Sequence, residues 1–197
     1  MSDTIIDTLD AKSTALILVD VQKAFTSDPV PAERLENIRS VIERARDAGM
    51  TLVFTRSVRQ ADGKDAPQAV YDIVPKTYRG EEPSCCAGTT DVEYGDGIEP
   101  RADEYEISKE RYDAFHGTKL DYYLRVAGIK TVLMSGISTN VCVEATARSA
   151  HERQYNVVYI EDCCASHYPD LHDAAIQNAE NILGTVITSD ELSELLT

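Results

Sequence analysis

The chain has 197 residues, 43% hydrophobic and 27% charged. That length fits one domain, and the balance excludes a disordered, collagenous or coiled-coil chain. Nineteen Lys and Arg against 34 Asp and Glu leave a net charge of −15, which argues against nucleic acid or an anionic membrane surface as a partner.

Strand and helix signals alternate along the chain. They predict a single α/β domain over residues 1–197, a three-layer αβα sandwich with a mostly parallel central sheet. Thr14 to Val19 is a near-continuous apolar run, as a strand buried on both faces should be, and it ends abruptly at Asp20. Pro31 to Ala48 reads as a helix with Leu35, Ile38, Val41, Ile42 and Ala45 on one stripe and Gly49 as its stop. Thr51 to Phe54 is the second strand. Residues 57–100, rich in Gly and Pro, are irregular, and a connection this long predicts a substrate or interface region. Glu104 to Ser108 alternates as a strand that ends at Lys109. Leu120, Tyr123, Leu124 and Ala127 mark a helix stopped by Gly128, and Thr131 to Met134 is a strand. Gly136 to Val141 is a turn that delivers Cys142 to the start of a helix reaching about Arg153. Val157 to Ile160 is a strand, Pro169 to about Asn181 a helix, and Thr185 to Ile187 a short strand. Thr188 to Glu191 is a capping box that opens the last helix.

The acid is spread along the chain and is not gathered in a tail. Two origins stay open: an ordinary acidic cytosolic protein, or adaptation to high salt, where ions screen the repulsion between dense carboxylates. The longest apolar run, Ala15 to Val19, has five residues against about 20 for a membrane span, so no membrane is expected. Met1 to Asp7 carries neither a basic region nor an apolar stretch, so no secretory signal is predicted and the expected compartment is the cytoplasm. Five Cys are an odd number for a disulfide framework. The adjacent pairs Cys85-Cys86 and Cys163-Cys164 lack zinc-site spacing, and the latter pair reads as packing.

Asp20, Lys109 and the turn before Cys142 all fall where strands end, and in open α/β sheets those carboxyl ends line the ligand crevice. Singly, Asp20 also reads as a turn cap, Lys109 as a solvated lysine and Cys142 as a structural thiol. A Cys at a helix N-terminus has a lowered pKa, and the free amides there suit an oxyanion.

Gly136-Ile-Ser-Thr-Asn-Val-Cys-Val-Glu-Ala-Thr-Ala-Arg148 resembles the nucleophile segment of the isochorismatase-like cysteine hydrolases. Leu18-Val-Asp-Val-Gln-Lys-Ala-Phe25 resembles the D-x-Q-x-x-F segment of that family. Lys109-Glu-Arg-Tyr-Asp-Ala-Phe-His-Gly-Thr118 resembles its catalytic lysine segment. Gly88-Thr89 with Glu93, and Glu161-Asp162-Cys163, also match, so the resemblance spans nearly the whole chain. It implies a Rossmann-like topology and a triad of Cys142 as nucleophile, Asp20 as general base and acid, and Lys109 as their electrostatic partner. It further implies a cis peptide at Ile137-Ser138, an oxyanion hole from the N–H groups of Ser138 and Cys142, no cofactor, and a homo-oligomer, dimer or tetramer.

Family members cleave small amides and ureides, nicotinamide, or the vinyl ether of isochorismate. Nicotinamidases carry an Asp-x-His metal motif after the second strand, where this chain has Thr55-Arg-Ser-Val-Arg59, so no metal is expected. A Cys nucleophile favours amide cleavage, because vinyl-ether cleavage needs no thiol. The lysine and cysteine segments are most similar to those of the N-carbamoyl and ureide amidohydrolases, which implies a small-molecule amide as substrate. Gln22, Phe25, Tyr112, Phe115 and Thr139 are candidate substrate contacts. Arg56, Arg111 and His167 are candidates for holding a substrate carboxylate. The alternatives are a nicotinamidase-type or isochorismatase-type hydrolase and a catalytically silent oligomeric scaffold. A dinucleotide-binding module is disfavoured, since no G-x-G-x-x-G follows the first strand.

Overall fold

A computed structural model describes residues 8–26, 30–66 and 83–196. Among them, six strands form one sheet: β1 (Thr14–Val19), β2 (Thr51–Ser57), β3 (Tyr105–Lys109), β4 (Thr131–Ile137), β5 (Asn156–Ala165) and β6 (Thr185–Ile187). Their order is β3-β2-β1-β4-β5-β6, and every pairing is parallel. Five α-helices accompany them: α1 (Ala32–Asp47), α2 (Leu120–Val126), α3 (Glu144–Glu152), α4 (Pro169–Asn178) and α5 (Ser189–Leu195).

The sheet is covered on both faces, which is why β1 is buried along its whole length. Leu16 and Leu18 of β1 pack with Ile38, Val41, Ile42 and Ala45 of α1 and Leu192 of α5. Ala15, Ile17 and Val19 turn the other way, onto Leu120 and Leu124 of α2, Ala147 and Ala150 of α3, and Ile176 of α4. Alternation along one strand thus feeds two cores and makes three layers. Cys163 and Cys164 follow the same rule, one in each core.

Most expected elements are present. Thr188 and Glu191 form the capping box of α5, each side chain bonding the other's backbone N–H. β2, β4 and β5 run further than their apolar runs suggest. The nucleophile turn also differs from expectation. Cys142 does not open an α-helix; it sits inside a π-helical turn, Thr139–Val143, and α3 starts only at Glu144. Of the irregular region predicted at 57–100, residues 67–82 lie outside the described residues. Its second end returns along the sheet, where Cys85 O accepts from Arg59 N at 2.8 Å and Val21 O from Gly95 N at 2.9 Å. Among the described residues no helix is long and apolar enough to cross a membrane.

Candidate active site

The strand order reverses at β1, and a crevice opens at the carboxyl ends beside such a point. Asp20 follows β1 there, β4 leads to Cys142 on one side, and β3 brings Lys109 from the other, across β2. Ile107 and Lys109 are the buried positions of β3, alternating with exposed Glu106. They therefore face the core that also holds Cys142.

Asp20 is fully buried and takes a left-handed backbone, φ 52°. That conformation is uncommon outside glycine and clusters at functional sites. Thr55 holds it from two directions. The Asp20 N–H donates to the Thr55 carbonyl and hydroxyl, both at 3.2 Å, and the Thr55 hydroxyl donates to Asp20 Oδ1 at 2.6 Å. Lys109 Nζ stands 2.6 Å from the other oxygen, Oδ2, and donates to the Arg111 carbonyl at 2.9 Å.

The Cys142 thiol is within hydrogen-bonding reach of both Asp20 and Lys109. Burial pushes its pKa up, the Asp20 carboxylate pushes it further, and the Lys109 ammonium opposes both without prevailing. The direction is opposite to that expected from a helix terminus, because burial beside a carboxylate outweighs the turn. Burial would lower the pKa of Lys109, but the Asp20 carboxylate beside it raises it above its ordinary value. The resting site is thus a protonated thiol beside an ammonium–carboxylate pair.

Gly136 makes this convergence possible. It pairs with Val19 at the ends of β4 and β1, with φ 134°. A Cβ there would lie 2.1 Å from the Val19 carbonyl oxygen, so only glycine lets the two strand ends meet. The Ile137–Ser138 peptide that follows is cis, as the resemblance implies. The Ser138 carbonyl accepts from the amides of Val141 and Val143 at 3.1 and 3.2 Å.

The isochorismatase domain model matches residues 14–191, a span that includes every strand of the sheet. The chain belongs to the isochorismatase family. It is a hydrolase of that family. It is 31% identical over 202 residues to the ureidoacrylate amidohydrolase RutB of Caulobacter vibrioides, covering 92% of this chain and 90% of that one. The cysteine hydrolase of Pseudomonas syringae superposes with a TM-score of 0.84 at 26% identity, over 99% and 98% of the two chains. The N-carbamoylsarcosine amidase of Thermoplasma acidophilum gives 0.73 at 29% identity, over 90% and 97%.

Several candidate substrate contacts are engaged elsewhere. Gln22 is buried, and its side chain bonds Ser57 N, Ser57 O and Asp91 O. It braces the 84–98 segment against β2 and has no amide group left for a ligand. Arg56 points to the opposite face of β2 from Thr55, where it pairs with Glu106, bonds Val92 O and lies 5.0 Å from the Tyr94 ring. These contacts hold its guanidinium on that face of the sheet. Phe115 stacks on Tyr155, 6.0 Å between centroids. Tyr155 precedes β5, so this contact sits at the amino end of the sheet, away from the crevice. Phe25 packs against the α1-side core. Tyr112 and Arg111 are exposed and His167 is half-buried, so these three stay available. Thr139 is fully buried and bonds His172 Nδ1 at 2.8 Å. Sequence reasoning missed both Thr55 and His172. The period-2 pattern of β2 places Thr55 opposite Arg56, but nothing in it indicates that the hydroxyl would meet Asp20.

Proposed function

We propose that the protein is a cysteine amidohydrolase acting on the C–N bond of a small linear amide or N-carbamoyl compound. The buried Lys109–Asp20 pair within reach of the Cys142 thiol carries this reading. Its similarity to a ureidoacrylate amidohydrolase and an N-carbamoylsarcosine amidase supports the substrate class.

Asp20 takes the thiol proton as the Cys142 sulfur attacks the substrate carbonyl carbon. Lys109 offsets the charge of the group that is negative at each stage. The developing oxyanion is held by the N–H groups of Ser138 and Cys142, as the resemblance to the family implies. The tetrahedral adduct collapses, the C–N bond breaks, and Asp20 returns the proton to the departing nitrogen as ammonia. Asp20 then takes a proton from water, the hydroxide attacks the thioester, the C–S bond breaks, and the thiol is reprotonated. The substrate has become its acid, and the enzyme is unchanged. A raised thiol pKa suits this sequence, because the proton leaves only when a carbonyl is in place.

The test is ammonia release from a panel of ureidoacrylate, N-carbamoylsarcosine, biuret, maleamate and nicotinamide, with the wild type and Cys142→Ala. At least one linear amide or ureide should turn over, and Cys142→Ala should lose at least about 10³-fold. Retention of a tenth or more of the activity in Cys142→Ala would sink the mechanism.

A further inference from the structure

We propose that His172 is a positioning residue: through Thr139 it fixes the turn that carries Cys142. The proposal rests on Cys142 being the nucleophile.

Thr139 opens the π-helical turn Thr139–Val143. Such a turn has wide i→i+5 closures, here Val143 N to Ser138 O at 3.2 Å, and π-turns concentrate at functional sites. The corner between β5 and α4 grips its first two residues. His172, in the first turn of α4, places Nδ1 2.8 Å from the fully buried Thr139 hydroxyl. Ser166, just past β5, donates to Asn140 Oδ1 at 2.7 Å, and the Ser166 hydroxyl is itself held by the Tyr168 N–H at 3.1 Å. The backbone N–H of His172 donates to the Tyr168 carbonyl at 3.0 Å, which ties the imidazole to the same corner. Cys142 follows Thr139 by three residues, so a shift of Thr139 moves the thiol against Asp20.

One member of this grip titrates. His172 is half-buried, and burial together with the charge of Arg34 from α1 lowers its pKa below 6.5, with Asp173 on α4 opposing. The ring is therefore neutral at pH 7, and Thr139 is free to donate into Nδ1 or to accept from it. In the cation both ring nitrogens carry protons, so Thr139 can only accept and its own proton must turn elsewhere.

The test is the rate of Cys142 alkylation by iodoacetamide, read from the mass of the Cys142 peptide. The proteins are the wild type, His172→Ala, His172→Gln, Thr139→Val and the double variant His172→Ala/Thr139→Val. His172→Ala and Thr139→Val should each slow alkylation about five- to tenfold, the effect of one hydrogen bond. The double variant should be no slower than either single, because both remove the same contact. His172→Gln, which supplies a donor and an acceptor, should restore most of the rate. The ratio of wild-type to His172→Gln rates should be flat above pH 6.5 and fall below it. A wild-type rate in His172→Ala overturns the proposal, and so do losses that multiply in the double variant or a ratio that ignores pH. If His172→Ala fails to fold, Thr139→Val and His172→Gln decide alone. Persistent amide hydrolysis by a protein whose Cys142 is fully alkylated would instead refute the nucleophile assignment.

Discussion

The Thr55 hydroxyl donates to Asp20 Oδ1 at 2.6 Å while Lys109 Nζ meets Asp20 Oδ2 at the same distance, so one carboxylate is gripped from two strands. Both charged side chains are closed to solvent. Each ion gives up several kcal/mol of hydration, which the partner charge, the Thr55 hydroxyl, the Arg111 carbonyl and the neighbouring Cys142 thiol offset. Removing one partner strands the other. Asp20→Asn, which tolerates the left-handed backbone, and Lys109→Met should each destabilise the fold by about 3–5 kcal/mol. The double variant should lose less than the sum. Urea unfolding measures all three, and single-variant losses below about 1 kcal/mol would match a solvent-screened surface pair and contradict burial.

Gly136→Ala is predicted to be among the most damaging single-methyl changes in this chain. The added Cβ meets the Val19 carbonyl at 2.1 Å and is held at φ 134°. Steric displacement and backbone strain together should cost about 2–6 kcal/mol. Because the collision forces β4 from β1 just before the nucleophile turn, alkylation of Cys142 should change as well. A variant with wild-type melting and wild-type alkylation would mean that the strand ends need not meet there.

Much of this site is legible in the sequence, for physical reasons. Asp20 is visible because an apolar strand buried on both faces ends on a charge, and Cys142 because a buried strand runs through glycine into a turn. Lys109 is weaker: one lysine at a strand end reads as solvated until the order of strands brings β3 across β2. The brace by Gln22 and the turned-away Arg56 depend on partners 35 to 69 residues distant, Ser57, Asp91 and Glu106. No local pattern encodes such a pairing. The thiol pKa was open to a wrong sign for the same reason. A helix terminus can be read locally, whereas burial beside Asp20 is a tertiary property.

The net charge of −15 gives a prediction independent of the chemistry. Like charges on one compact surface repel more than on an open chain, and salt screens that repulsion over about 10 Å at 0.1 M and about 3 Å at 1 M. The melting temperature should therefore rise from low salt to 2 M KCl. A flat or falling curve would remove high-salt adaptation as the origin of the acidity and leave the active site untouched.

The pH dependence of Cys142 alkylation by iodoacetamide tests the coupling of Asp20, Lys109 and Cys142 most directly. In the wild type, burial and the Asp20 carboxylate hold the thiol protonated, so the midpoint should lie above the ordinary value of 9.0. Asp20→Asn removes a negative neighbour and should move the midpoint down, even though it abolishes turnover by deleting the base. Lys109→Met removes the opposing cation and should move the midpoint up. Shifts of opposite sign in the two variants are the predicted result. A single midpoint shared by all three proteins would contradict a common site, and with it the mechanism built on Cys142.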